Sequence, residues 1–215
     1  MEITYLGHSS FRLRGKSSSL ITDPYDPKMV GFKYSGVSAD IVTISHNHDD
    51  HNKADLVKDV QKIISGPGEY EVRGVSIIGV PSYHDNKKGE IRGKNTVYII
   101  EMDNLRIVHL GDLGHTLPED TLEDLGTVDV LLIPVGGEYT IGPSEAAELV
   151  RSIEPLITIP MHYHLPGINE GAFGKLAKID DFLKDVGLTS EVMDKFSIKK
   201  EDLQTEQKVV VLERK

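Results

Sequence analysis

Apolar residues along this chain gather in short, often β-branched runs, most of them too brief for helices. Residues 2–5, 10–13 and 20–22 are such runs, with Gly7, Gly15 and Ser17-Ser18-Ser19 marking turns between them. Residues 40–45, DIVTIS, form an apolar run of the kind seen in strands buried on both faces. The period then changes. In KADLVKDVQKI, residues 53–63, Ala54, Leu56, Val57, Val60 and Ile63 fall on one face and predict a helix, with Asn52 as its cap. Residues 69–73 and 75–80 predict a hairpin across Gly74, and 96–101 and 106–110 another across Asp103-Asn104. Residues 128–135 are again continuously apolar.

Pro143–Ile153 opens with Pro, Ser and Glu and repeats apolar residues at Ala146, Leu149, Val150 and Ile153, which predicts a helix. Residues 156–159 predict a strand, 174–186 a helix and Lys208–Leu212 a last strand. Residues 187–206 alternate charged and apolar positions and are compatible with a closing hairpin or a dimer contact. No repeat and no Pro/Ser-rich linker divides the chain, so one domain is expected over residues 1–215. Long β stretches with helices after several of them predict a layered α/β arrangement.

Composition narrows the chemistry. The 215 residues contain no Cys, which excludes disulfides, a thiolate nucleophile and Cys-ligated metals. Lys and Arg number 24 against 34 Asp and Glu, a net charge of −10, so nucleic acid and anionic membranes are not expected partners. The start, MEITYLGHSS, lacks the basic and apolar regions of a signal peptide, and no apolar run reaches a membrane-spanning length. A cytoplasmic protein acting on a small molecule is the expectation, with homo-oligomerisation left open.

The informative segment is His46-Asn47-His48-Asp49-Asp50-His51, directly after a buried strand. In an extended or looped segment, His46 and His48 can turn the same way and chelate one ion, while Asp50 and His51 reach a second beside it. A dinuclear site needs further donors at strand ends. His84, Asp112 and His162 each stand just past an apolar run, where side chains leave a core for a cleft. Imidazole and carboxylate suit Zn²⁺ first, and also Mn²⁺ or Fe²⁺.

These residues, with LGHSSF at 6–11, TDP at 22–24, GDLG at 111–114, PVGGEYTIGPSEAA at 134–147 and PMHY at 160–163, resemble the metallo-β-lactamase superfamily. They are similar in particular to its short branch of metal-dependent hydrolases related to L-ascorbate-6-phosphate lactonase. The resemblance implies a four-layer αββα sandwich of two mixed β-sheets flanked by helices. It implies His46, His48 and His84 on one metal, Asp50, His51 and His162 on the other, and Asp112 bridging both. Two cations would lower the pKa of a shared water toward about 7 and polarise the substrate's carbonyl or phosphoryl oxygen. Asp50 and His8 are then the candidate catalytic residues, His8 by a position that in this branch faces the site. Asp23, in the TDP turn, is a candidate acceptor that fixes the tautomer of a ligand histidine.

The remaining histidines are weaker candidates. His109 lies inside a strand and is expected to fill the core, and His115 and His164 more often than not would stand outside the site. Lys87, Lys88, Arg92 and Lys94 form a basic cluster that either lines the cleft and holds a phosphate or carboxylate or is a solvated hairpin tip, the second being favoured. Within the superfamily, absence of Cys excludes the branch that places Cys at the second metal, and His48 stands where di-iron flavin-linked reductases carry Glu. A hydrolase of lactones, esters or phosphodiesters is the expected function. The alternative is a non-catalytic metal-binding regulatory or interaction domain.

Overall fold

In chain order the strands are β1 (Glu2–Gly7), β2 (Ser10–Arg14), β3 (Ser19–Thr22), β4 (Ile41–Ile44) and β5 (Lys62–Ser65). There follow β6 (Gly68–Val72), β7 (Val75–Tyr83), β8 (Lys94–Met102), β9 (Leu105–His109), β10 (Val130–Pro134) and β11 (Ile157–Met161). The last are β12 (Thr189–Met193), β13 (Phe196–Ser197) and β14 (Lys208–Leu212). In the computed structural model, which describes all 215 residues, they form two mixed sheets. One has six strands in the order β13-β1-β2-β3-β4-β5, the other eight in the order β12-β14-β11-β10-β9-β8-β7-β6. The turns explain the hairpins. Asp103 and Asn104 both adopt positive φ, 53° and 65°, the geometry that matches the twist of the flanking β8 and β9.

The sheets pack face to face. Ile3, Tyr5, Phe11 and Leu13 from one meet Ile77, Ile100, Ile107 and Leu132 from the other in a common core. Tyr98 of β8 adds a polar tie across it: its hydroxyl donates to Ile44 O at 2.8 Å and accepts from Gly66 N at 3.0 Å. The outer face of the eight-stranded sheet is covered by α2 (Glu119–Leu125), α3 (Pro143–Ile153) and α5 (Ile179–Val186), through Leu125, Leu149, Val150 and Phe182. Over the six-stranded sheet lie only α1 (Pro27–Val30) and α4 (Glu170–Phe173), with Tyr25, Phe32 and Tyr34 packed on Ile21 and Val42. This is the expected sandwich of two mixed sheets flanked by helices.

Three local expectations need correction. Residues 53–63 are not a helix: a single 3₁₀ turn at Ala54–Leu56 gives way to extended chain, and β5 pairs in parallel with β4. Backbone bonds from Lys58 N to Val37 O and from Gln61 N to Asp40 O pull the segment onto the sheet, and Asp59 at φ 63° breaks any helical run. An unpaired edge of β4 outweighs a helical apolar period that is rich in β-branched residues. Asn52 caps nothing; its amide donates to Asn47 Oδ1. Residues 174–186 split into a loop and α5, because Ala177 is bonded between Gly136 O and His164 N. Residues 187–206 make no hairpin of their own. β12 lies parallel to β14 and β13 pairs with β1, so the stretch ends both sheets. No helix is long and apolar enough to cross a membrane.

Replacing Tyr98 with Phe leaves the buried Ile44 carbonyl and the part-buried Gly66 amide without their partner. It should cost about 1–3 kcal/mol, read as a lower urea midpoint at unchanged m.

Candidate metal centre

One end of the sandwich collects the ends of strands from both sheets. The β1–β2 turn brings His8, the end of β3 brings Asp23, and the loop after β4 brings His46, His48, Asp50 and His51. From the facing sheet come His84 after β7, Asp112 after β9 and His162 after β11. Close backbone approaches set two of these. A Cβ on Gly114 would stand 2.4 Å from the His84 carbonyl carbon, and one on Gly136 would overlap the His162 carbonyl oxygen, so only glycine lets either loop pass. His162 itself holds φ at 51°, its N–H donated to His8 O.

All seven residues expected as ligands meet here. Donor atoms of His46, His48 and His84 lie within 4.8 Å of one another, as do those of Asp50, His51, His162 and His8. Between the two groups stands Asp112. Its Oδ2 is 3.1 Å from His51 Nε2, 3.2 Å from His162 Nε2, 3.3 Å from His84 Nε2 and 4.0 Å from His46 Nε2. All but His48 are buried.

A layer of hydrogen bonds behind these groups fixes their tautomers. Asp23 is fully buried; its Oδ1 accepts from Ser45 N, and its Oδ2 accepts from Ser45 Oγ at 2.6 Å and from His51 Nδ1 at 2.9 Å. Because the Ser45 hydroxyl proton is spent on Asp23, its oxygen accepts from His46 Nδ1 at 3.0 Å. One carboxylate therefore turns the Nε2 lone pairs of two histidines, one from each donor group, toward the centre. Asn95 carries Asp112 by accepting its backbone N–H at Oδ1 while its amide donates to Ser82 and Leu110. Ser45 and Asn95 went unnoticed in the sequence, since an uncharged side chain next to a ligand leaves no spacing signal.

Electrostatics explain what this cluster needs. Burial works against ionising Asp112, but His162 and His51 beside it hold its carboxyl well below the usual range. Burial also opposes ionisation of Asp50, yet His51 and a hydrogen bond from His8 outweigh it. Asp23 is held down the same way by His51. The ion pairs of all three carboxylates are with histidines, none with Lys or Arg. His46 is kept neutral by burial and by His51. The Nε2 atoms of His46, His51 and His162 are buried without a hydrogen-bond partner. Buried carboxylates beside unpartnered imidazole nitrogens fit divalent cations and little else.

A family model for the beta-lactamase superfamily domain matches residues 2–162. A UPF0173 metal-dependent hydrolase of Thermococcus onnurineus is 31% identical, the match covering 90% of this chain and 95% of that protein. The chain belongs to the UPF0173 metal-dependent hydrolases of the beta-lactamase superfamily. A second relative, from Pyrococcus horikoshii, is 29% identical over 90% of the chain and 95% of that protein. A Thermotoga maritima protein assigned as a Zn-dependent hydrolase of the metallo-beta-lactamase superfamily is 39% identical, with TM-score 0.82 over 100% of this chain and 99% of that one. Igni18, a metallo hydrolase of Ignicoccus hospitalis, shares the fold at 22% identity, with TM-score 0.69 over 92% of this chain and 99% of that one.

Other candidates fall outside the cluster. His109 donates to Ser9 O in the core, His115 accepts from Tyr83 N, and His164 donates to Glu170. His8 is buried, its Nε2 3.1 Å from Asp50 Oδ2 and its ring against Phe173, two residues that line the cavity in front of the cluster. Burial and the neighbouring His162 lower its pKa to about 4, so it donates as a neutral ring. That cavity, about 490 Å³, is walled by Met29, Tyr139 and Phe173, residues whose role sequence spacing did not reveal.

In this family member, Asp23→Asn should weaken metal retention about 10- to 100-fold by misorienting His46 and His51 together. Competition with a chromogenic chelator reads the affinity, and circular dichroism checks that the variant is folded.

Proposed function

We propose that the protein is a hydrolase of small lactones, esters or phosphodiesters that works with two divalent cations, Zn²⁺ foremost and Mn²⁺ or Fe²⁺ as compatible alternatives. His46, His48 and His84 would hold one, Asp50, His51 and His162 the other, with Asp112 shared. The observation that carries this reading is the position of Asp112 Oδ2, within 3.1–4.0 Å of histidine Nε2 atoms from both donor groups. When bound, such a pair supplies an activated water near neutral pH and a Lewis acid for the substrate's carbonyl or phosphoryl oxygen.

The chain's own groups do the rest. Asp23 and Ser45 keep His46 and His51 in the tautomer whose Nε2 is free. His8 holds Asp50 through Oδ2, and Oδ1, which takes no hydrogen bond from the chain, is the atom we assign to accept the proton of the attacking water. Met29, Tyr139 and Phe173 present an apolar wall that positions a small substrate and limits bulk water. A cavity of about 490 Å³ in an acidic chain favours a small molecule over a nucleic acid.

Asp112→Ala is expected to lose at least one metal equivalent and at least about 10³-fold in kcat/KM, whichever of a lactone, thioester or phosphodiester panel the native protein turns over. Elemental analysis and the panel are run on the same preparations. Unchanged metal content in the variant would overturn the shared-ligand assignment. Metal-stabilised native protein with no turnover anywhere would make it a metal-binding domain without catalysis.

A further inference from the structure

Directly after His84, the chain makes a compact loop, residues 85–93, that carries Lys87, Lys88 and Arg92 of the basic cluster, Lys94 being the first residue of β8. Asp85 organises it from within. Its Oδ1 accepts from Lys87 N at 2.7 Å and Gly89 N at 3.0 Å, and its Oδ2 accepts from Ile91 N at 3.0 Å and Arg92 N at 2.7 Å. His84 N donates to Gly93 O, which closes the loop onto the ligand-bearing strand end. Four backbone bonds to one carboxylate make this a rigid element rather than a solvated hairpin tip.

The loop treats its cations unequally. Lys87 and Lys88 point to solvent, while Arg92 is half-buried and borders the cavity in front of the metal cluster. Arg92 also borders an adjoining cavity of about 440 Å³ that reaches His46 and His48. It is the one Lys or Arg lining the first cavity. Its guanidinium is steered without being neutralised: one N–H donates to Glu138 O at 3.1 Å, and the group lies 5.4 Å from the centre of the Tyr139 ring. Tyr139 is in turn anchored by its hydroxyl on Ala172 O, at 2.7 Å. Arg92 forms no ion pair with a carboxylate, although the chain has ten more acidic than basic residues. An arginine oriented by a carbonyl and an aromatic face keeps its remaining donors for an oxygen anion, which its planar fork suits.

We propose that Arg92 is a specificity residue that binds an anionic group, carboxylate or phosphate, borne by the substrate at a distance from the bond being cleaved. This rests on the hydrolase reading above and adds to it the charge of the substrate. The anion sits between the 85–93 loop and the Tyr139 loop, and the scissile bond faces Asp112 and Asp50. Asp85 is the positioning residue, fixing Arg92 relative to His84.

The test compares mono-4-nitrophenyl succinate with the neutral 4-nitrophenyl butyrate on the metal-replete protein. The ratio of their kcat/KM values should fall at least about tenfold in Arg92→Gln, as loss of a hydrogen bond to a charged group implies, and recover in large part in Arg92→Lys. A brace with no substrate contact would slow both esters alike, and an unchanged ratio overturns the proposal. Calorimetric binding of succinate to the same proteins reads the contact without turnover. At least fivefold weakening in Arg92→Gln supports it and equal affinity overturns it, even if the native protein cleaves neither ester, a result that would count against the hydrolase reading alone.

Discussion

Three carboxylates, Asp23, Asp50 and Asp112, lie buried within one cluster whose only counter-charges inside the chain are histidines. Removing ionised groups from water without firm compensation is among the costliest things a fold can do. Imidazole answers this only in part: burial pushes His8 and His46 toward neutrality, and His51, set among all three carboxylates, is the ring they favour protonating. The architecture therefore makes sense around cations that both groups of donors can share. Convergence of strand ends, two glycines forced by backbone approach, and the Asp23–Ser45 relay all serve that single electrostatic demand.

The division of labour between the sheets follows from it. The six-stranded sheet contributes the contiguous HNHDDH loop and Asp23 behind it; the eight-stranded sheet contributes His84, Asp112 and His162 from three separate strand ends. Neither sheet holds a complete site. The face-to-face core and the Tyr98 tie therefore fix the relative positions of the clustered donors as well as stability. Loops that grow from the same end then wall the cavity, so the donor cluster and the cavity in front of it share one base.

Much of this could be read from the residues before any fold was known, and the reasons differ by region. The hairpins at Gly74 and at Asp103-Asn104 were legible because turn chemistry is local, and α3 because Pro143 and Glu145 mark its start. The seven clustered donors were legible because each either belongs to one dense motif or stands immediately past an apolar strand. Residues 53–63 misled because their apolar period is helical while the open edge of β4 demanded a strand. α2 passed unread despite Pro118 before it and Gly126 after it. Ser45, Asn95 and Phe173 could not be found from spacing, since their importance comes only from what tertiary packing sets beside them. Arg92 was legible as one of the basic cluster, but what sets it apart from Lys87 and Lys88 was not, since its neighbours Glu138 and Tyr139 are more than 40 positions away in the chain.

Anomalous diffraction from crystals of the metal-replete protein, recorded on both sides of the metal's absorption edge, tests the central claim most directly. Two peaks are predicted, one bounded by His46, His48 and His84 and the other by Asp50, His51 and His162, with the Asp112 carboxylate between them. A single peak, or peaks remote from Asp112, would contradict the account.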